Sequence, residues 1–347
     1  MNKLKWVVLI IYASSIAILR ILKLGVLCYA PIKKHIFISV WFGGIANNII
    51  QLAQAEYLAK RFGFTLHVPP HHFLKVGQKY NLHEIKPVSQ QRPYFPSTPS
   101  TVILDLLTEL NTRLPEYGLF RRMFWRFDIL PLSPDLADFR QVLRQDLFPV
   151  IPHRADDLIK DDTLVIHMRT RDAFWEDLTK LHRGYIQPPM SFYLEIIDKF
   201  EFKDIVVVTQ DDFKNPCINE LKRLRPEVRI QTSDLQSDIS TIMSARNLVI
   251  AHSSFSLCLG LASDKLKQMF VPQFDITNKF KYTRAPFWPN IYKYAFVANT
   301  PLSHFRNLDC DVRLVKVCDY VPIGAWLNTP EQRSLMLSHS RSQINFR

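Results

Sequence analysis

The segment D-I-V-V-V-T at residues 204–209 decides the fold class, because its unbroken apolar run predicts a strand buried on both faces of a parallel sheet. Further short strand-like runs lie on both sides of it, and helical patterns separate them. These predicted strands are 164–167, 228–230, 248–251 and 268–271, and the predicted helices are 190–200, 215–224, 237–246 and 254–262. Strands that alternate with helices this closely predict a doubly wound α/β fold.

A strand–helix–strand pattern precedes this region and predicts a further βαβ unit. Its parts are residues 35–40, 49–61 and 64–68. The pair Gly43-Gly44 forms a turn between the first strand and the helix, and Gly63 ends the helix.

Two α/β halves follow from these patterns, at residues 32–150 and 151–330. Ligands of such sheets bind where the carboxyl ends of strands meet the amino ends of helices, so we expect the site there. Residues 331–347 are polar and rich in Ser and Arg, which predicts a flexible tail.

The first residues form an apolar stretch, 4–30, that reaches the length of a bilayer span if Arg20 and Lys23 extend toward the interface. No small-residue cleavage site follows it, so a retained signal anchor within residues 1–31 is expected rather than a cleaved signal peptide. A buried or interfacial helix is the alternative.

The net charge of +12 points to an anionic partner: nucleic acid, a membrane surface or a phosphate-bearing small molecule. The basic residues are dispersed and no nucleic-acid-binding motif is present, so nucleic acid is not expected as a partner. The five cysteines show no CxxC spacing, which argues against a zinc site. Cys310 and Cys318 form either a disulfide or two free thiols, and the sequence favours neither.

A first candidate motif is Gly43-Gly44-x-x-Asn47 at the start of a helix. Glycines let the backbone approach a phosphate or sugar closely, and the amino end of a helix favours an anion. A purely structural turn is the alternative.

A second candidate motif ends a buried strand with His167, Arg169, Arg171 and Asp172. A guanidinium can grip a diphosphate through two parallel hydrogen bonds and stabilise the charge of a diphosphate leaving group. A structural Arg–Asp ion pair is the alternative.

A third candidate motif comprises Asp238 and the run Ser253-Ser254-Phe255-Ser256, which follows a strand and opens a helix. Hydroxyls and backbone N–H groups at this position suit a phosphate. Helix capping by Ser253 or Ser254 is compatible with that role.

Three weaker patterns contain residues of the kinds found in metal sites or clefts. Asp309-Cys310-Asp311 is a DxD triplet, a metal–nucleotide motif that does not suit a doubly wound pattern. Asp211-Asp212 ends a strand, with helix capping as its expected role. The histidines at 67, 71 and 72 lack a nearby carboxylate, so no metal site is expected.

Taken together, the three motifs resemble those of the α-1,2-fucosyltransferase family. The first, extended to Gln51, resembles the family's amino-terminal loop. His167-x-Arg169-x-x-Asp172 is similar to its His-x-Arg-Arg-Gly-Asp motif, and the third resembles its carboxy-terminal motif. The order and spacing agree over residues 36–275. The sequence departs from the family's residues at Ala46, Asn48, Thr170, Arg171, His252, Leu257 and Cys258.

This resemblance implies a GT-B-like fold, in which two Rossmann-like halves face a cleft, the first on the acceptor side and the second on the donor side. It implies an inverting glycosyltransferase that moves fucose from GDP-fucose to a hydroxyl of a glycan acceptor, without a metal or other cofactor. Arg169 would neutralise the diphosphate, His167 would shape the pocket, and Asp172 would orient Arg169 or act as a base. The residues expected to bind the donor are Gly43, Gly44, Asn47, Arg171, Asp238, Ser253, Ser254, Phe255 and Ser256.

With this function, a single-pass type II protein of the Golgi membrane is expected. Another secretory membrane and a bacterial inner membrane remain alternatives. A transferase of a different nucleotide sugar and a non-catalytic glycan-binding relative also remain open.

Overall fold

The computed structural model describes residues 35–38, 41, 43–63, 65–82, 136–154, 159–177, 185–274, 308–320 and 326–346. The anchor expected within residues 1–31 lies outside these ranges. Within them, no helix has both the length and the hydropathy needed to cross a bilayer.

The first half contains the predicted βαβ unit. Strand β1 is His35–Phe37, helix α1 is Ile45–Phe62, strand β2 is Thr65–Val68 and strand β3 is Asn81–Leu82. The three strands are parallel in the order β1-β2-β3. Helix α1 ends at Gly63, whose left-handed backbone (φ 64°) returns its N–H to the carbonyls of Ala59 and Lys60.

The second half is a seven-stranded sheet. Its strands are β4 (Thr163–His167), β5 (Asp204–Val208), β6 (Arg229–Gln231), β7 (Asn247–Val249), β8 (Gln268–Phe274), β9 (Asp311–Val317) and β10 (Ile344–Phe346). They lie in the order β10-β9-β8-β7-β4-β5-β6, and all are parallel except β10, which pairs antiparallel with β9. The chain builds outward from β4 to β6 and then crosses back to place β7 beside β4. This α/β architecture agrees with the sequence prediction.

Helices cover both faces of this sheet. They are α2 (Leu136–Val142), α3 (Met190–Lys199), α4 (Pro216–Leu224), α5 (Leu235–Ser244), α6 (Ser254–Ala262) and α7 (Pro330–Ser338). Alternate residues of β5 enter different apolar clusters, with Val206 and Val208 on one face and Ile205 and Val207 on the other. The run at 204–208 is therefore apolar throughout because both of its faces are buried.

Helix α2 runs directly into a π-helix at Leu143–Leu147 and connects the first half to α6. The buried guanidinium of Arg140 donates from Nη1 to the carbonyls of Gly260 and Leu261, at 3.2 and 3.1 Å. These carbonyls belong to the last turn of α6, where backbone donors are few; the Gly260 carbonyl also accepts from the Ser263 N–H at 3.2 Å.

The flexible tail predicted at residues 331–347 is wrong. This segment forms α7 and the edge strand β10. Met336 is fully buried, and the buried His339 contacts the Ser191 hydroxyl at 2.7 Å and the Cys318 carbonyl at 2.8 Å. Polar composition was misleading because only one side of this short helix is covered, so few apolar residues suffice to fix it.

The disulfide considered between Cys310 and Cys318 is not present, and both cysteines are free thiols. Strand β9 occupies the seven residues between them. An extended chain rises about 3.3 Å per residue, which holds the two cysteines roughly 26 Å apart. Two cysteines eight positions apart can pair only if the chain between them turns back, and an extended strand prevents this.

Candidate functional site

The point where the strand order reverses lies between β4 and β7, which are neighbours in the sheet. In open α/β sheets a crevice forms there, outside the carboxyl ends of the strands. The second motif leaves the end of β4, and the third leads from β7 into α6. Two of the segments predicted from sequence therefore border one crevice.

Arg169 stands at the exit of β4 and is held on three sides. Its Nε and Nη2 donate to the two carboxylate oxygens of Asp172, at 3.1 and 2.8 Å. Its Nη1 lies 3.5 Å from the His252 carbonyl, and its Cζ lies 4.0 Å from the ring centroid of Tyr185. The side chain keeps 16% of its surface exposed, so a fixed guanidinium borders the crevice without being enclosed.

Arg169 and Asp172 form the structural ion pair that was the alternative explanation for this motif. It does not exclude a ligand, because a guanidinium carries five N–H donors and Asp172 takes only two of them. The carboxylate of Asp172 is used to orient the arginine, which favours the orienting role over that of a base.

His167 lies beneath this arginine as a buried, neutral imidazole. Its ring centroid is 5.4 Å from that of Phe255. Burial, and then the charge of Arg169, lower the pKa of His167 to about 3. Nδ1 of His167 and the hydroxyl of Ser256 are buried without a hydrogen-bond partner among the described residues. Unpartnered buried polar atoms also occur elsewhere in the described part of the chain, so these two are compatible with a bound molecule but do not identify one.

The serines of the third motif open helix α6 toward the same crevice. Ser253 is the N-cap, and its hydroxyl accepts from the Phe255 N–H at 3.2 Å. The capping role is therefore observed, and the remaining N–H groups of the first turn form an anion-favouring end. The Ser254 hydroxyl donates to the Asn47 side-chain oxygen at 3.0 Å.

That last bond brings the glycine motif of the first half to the crevice. Gly43 has φ 74°, and a Cβ added to it would lie 2.3 Å from Nδ2 of Asn47. A side chain is therefore excluded at Gly43 on both steric and backbone grounds. Gly44 is the N-cap of α1 and is exposed. Asn47 thus connects the glycine turn to α6.

Two of the residues predicted to bind a donor lie farther out. Arg171 is exposed, has φ 45°, and contacts Asp211 at 3.3 Å through its guanidinium. Asp238 lies in the first turn of α5, the helix that follows β6, and β6 is two strands from β4 in the sheet. It accepts from the Gln231 amide at 3.0 Å, and burial raises its pKa to about 6.

Asp212 was expected to cap a helix, and that expectation is wrong. Asn215 caps α4, accepting from the Cys217 N–H at 3.0 Å. Asp212 instead accepts from the Thr170 hydroxyl at 2.5 Å and from the Arg171 N–H at 3.1 Å. It fixes the loop that follows Arg169.

Tyr185 and Gln187 are site residues that the sequence did not reveal. The ring of Tyr185 faces the guanidinium of Arg169, and Gln187 Nε2 lies 3.4 Å from the His252 carbonyl. The carbonyl of Gln187 accepts from the buried Tyr320 hydroxyl at 2.8 Å. Both residues precede a helix without any motif, so only the folded structure brings them to β4.

The weaker metal patterns are not supported. Asp309 pairs with Arg140 at 2.5 Å and also with Arg144, and Asp311 pairs with Arg313 at 2.9 Å. Both nitrogens of His71 are used within the protein. Across the ranges described above, no three His, Cys, Asp or Glu side chains are grouped as metal ligands.

Comparison with known proteins gives only distant likenesses. No family model matches the chain, and no curated protein matches it. The solved structure of POFUT1 with GDP-fucose is 13% identical with a TM-score of 0.38, and the match covers 70% of this chain and 98% of that one. E. coli heptosyltransferase WaaC with ADP-2-deoxy-2-fluoro heptose is 11% identical with a TM-score of 0.35, covering 69% of this chain and 89% of that one. The function proposed below therefore rests on this chain's own side chains.

Proposed function

We propose that this chain is a glycosyltransferase that takes a sugar from a nucleotide-sugar donor bound at the carboxyl ends of β4 and β7. The observation that carries the proposal is the position of Arg169, a fixed guanidinium at the switch point of the sheet and within 3.5 Å of the loop that opens α6. A guanidinium and a helix amino end on one crevice are complementary to a diphosphate.

The chemistry follows from where charge develops. An acceptor hydroxyl attacks the anomeric carbon, the bond from that carbon to the diphosphate oxygen breaks, and the nucleoside diphosphate leaves with the bonding electrons. The hydroxyl proton passes to a base or to water. Arg169 and the first N–H groups of α6 stabilise the charge that accumulates on the departing diphosphate.

The neighbours of Arg169 support this role. Asp172 and the ring of Tyr185 hold the guanidinium in one orientation, which reduces the reorganisation needed when the leaving group departs. His167 stays neutral, so it adds a hydrogen-bonding edge without a competing charge.

The length of the site suits a nucleotide rather than a lone phosphate. Asp238 follows β6 and Arg169 follows β4, so both stand beyond the carboxyl ends of strands that are about 10 Å apart in the sheet. A donor whose diphosphate lies at Arg169 would place its nucleoside toward Asp238.

GDP-fucose is the first donor we propose, because the three motifs that meet here are those that resemble the α-1,2-fucosyltransferases. A GT-B arrangement, a glycan acceptor, an amino-terminal anchor and a Golgi location belong to the same proposal. Cell fractionation with and without residues 1–31 would test the anchor.

The donor assignment is tested by calorimetric titration of the chain with GDP, UDP and ADP and then with their sugars. We expect GDP to bind most tightly. Arg169→Ala should weaken that binding about 10- to 150-fold, the worth of a charged hydrogen-bonding group. Arg169→Lys should restore only part of it, since an ammonium lacks the paired donors.

Arg223→Ala is the matched control, because Arg223 also makes two hydrogen bonds to a carboxylate three residues away. It lies on α4 and should leave nucleotide binding unchanged. Equal GDP affinity in the Arg169→Ala and Arg223→Ala variants would contradict the proposed donor site. Tight nucleotide binding without sugar transfer to any acceptor would identify a non-catalytic relative.

A further inference from the structure

Three aromatic side chains form a cluster at the carboxyl edge of the first sheet: Trp41, which follows β1, and His71 and His72, which follow β2. The imidazoles of His71 and His72 are stacked, with centroids 4.6 Å apart and planes 19° from parallel. The indole of Trp41 meets His71 edge-on at 5.1 Å. None of these rings is used in the donor site described above.

The middle ring of this aromatic cluster is fixed by the backbone. Nδ1 of His71 accepts from the N–H groups of Phe73 and Leu74, both at 2.9 Å. Nδ1 is therefore unprotonated, and Nε2 carries the hydrogen that is donated to the Asn48 side-chain oxygen at 3.1 Å. Burial, with a smaller contribution from the charge of His72, lowers the pKa of His71 to about 4. The ring is neutral and immobilised at physiological pH.

The outer parts of the cluster are also held in place. The Trp41 indole N–H donates to the Pro70 carbonyl at 3.1 Å. His72 is exposed, so one face of its ring rests on His71 and the outer face is open to solvent. The result is a pair of stacked imidazoles supported edge-on by Trp41, with the flat outer face of His72 apolar and its ring edges polar.

The position of the cluster ties it to the donor site. Asn48, which holds His71, adjoins Asn47, which accepts from Ser254 at the start of α6. The turn that follows β1 and the loop that follows β7 thus meet at Asn47, next to the residue that holds the aromatic cluster.

We infer that the outer face of His72, supported by His71 and Trp41, is the stacking surface for a sugar ring of the acceptor; this rests on the function proposed above. The C–H face of a pyranose is apolar and matches an aromatic ring face, while its hydroxyls can reach the polar ring edges. An acceptor docked here would be connected to the proposed donor site through Asn48 and Asn47.

Two substitutions at the exposed His72 test this without disturbing the fold. His72→Ala removes the ring, and His72→Phe keeps a flat ring but removes its nitrogens. The intact chain and both variants are applied to a printed array of mono- and oligosaccharides, and the best-bound sugar is then titrated. We expect His72→Ala to weaken sugar binding roughly five- to tenfold, and His72→Phe to stay within about twofold of the parent, as ring stacking predicts.

GDP titration of the same proteins separates this inference from the proposed function. Unchanged GDP affinity is expected in both variants, because His72 follows β2 in the first sheet, whereas the proposed donor site is built on β4, β7 and α6. Sugar binding that is unaffected by His72→Ala, or equally lost in His72→Phe, or absent from the parent chain, would overturn the stacking surface alone. Sugar binding that depends on His72 in a chain that binds no nucleotide would remove the acceptor role and the proposed function together.

Discussion

The hydroxyl of Ser254 donates a 3.0 Å hydrogen bond to the side-chain oxygen of Asn47, and the two residues are 207 positions apart in the chain. Asn47 belongs to the first turn of α1, and Ser254 belongs to the first turn of α6. The bond connects two helix amino ends that border the proposed site, so its strength bears on both stability and ligand binding.

A double-mutant cycle measures that bond. Asn47→Ala, Ser254→Ala and the combined variant are unfolded in urea, and the coupling free energy is taken from the three differences. We expect a coupling of about 0.5–1.5 kcal/mol, the usual net worth of a neutral hydrogen bond. Strict additivity would mean that the two side chains do not interact in solution.

Gly43 and Gly44 should respond differently to the same substitution. Gly43→Ala places a Cβ 2.3 Å from the Asn47 side chain at φ 74°, so a loss of about 1–3 kcal/mol in unfolding free energy is expected. Gly44 has φ −77° and no heavy atom within 4 Å of an added Cβ. Gly44→Ala should be nearly neutral, since the weaker N-cap and the stiffer unfolded chain offset each other. Thermal unfolding of the pair checks this, and equal losses would contradict the turn geometry.

The carboxy-terminal helix offers an equally direct comparison at adjacent positions. Met336 is fully buried and Leu337 is 41% exposed. Met336→Ala should cost about 2–5 kcal/mol by removing core contacts, while Leu337→Ala should change stability by less than about 0.5 kcal/mol. Urea unfolding of both variants decides whether α7 is part of the fold. A small effect at Met336 would restore the flexible tail predicted from composition.

Asp238 gives a prediction about pH. Its pKa is raised to about 6 by burial, from an ordinary value of 3.8, so its ionised form is disfavoured in the folded state. The unfolding free energy is therefore unaffected by Asp238 below pH 3.8. It falls as the pH rises toward 6 and stays at the lower value above that pH. Asp238→Asn, which can still accept from Gln231, should therefore gain stability relative to the parent between pH 4 and 7.

Asp234→Asn should show the opposite slope. Hydrogen bonds from the N–H and hydroxyl of Ser237 lower the pKa of Asp234, so its stabilising effect is present at neutral pH and lost in acid. Unfolding in urea across this pH range distinguishes the two carboxylates. Parallel pH curves for the two variants would contradict the burial of Asp238.

The sequence predicted the strands that are buried on both faces, because an apolar run such as 204–208 has no other stable setting. It also selected Arg169, Asn47 and Ser254, which the fold brings to one crevice, since each stands where a strand or turn meets a helix. It failed for β9 and β10, whose polar residues interrupt any continuous apolar run; β9 is paired on both sides but only partly buried, and β10 is the edge strand. Tyr185 and Gln187 could not be predicted, because their role comes from contacts with β4 and His252 that no local pattern encodes.

Helix α6 belongs to the second half, and residues of the first half form hydrogen bonds with both of its ends. Asn47 accepts from Ser254 at its start, and Arg140 donates to the carbonyls of Gly260 and Leu261 at its finish. Moving the two halves directly apart would break the hydrogen bonds at both ends of α6. The two attachments therefore fix the position of α6, and with it Ser253 and Ser254, relative to the first half.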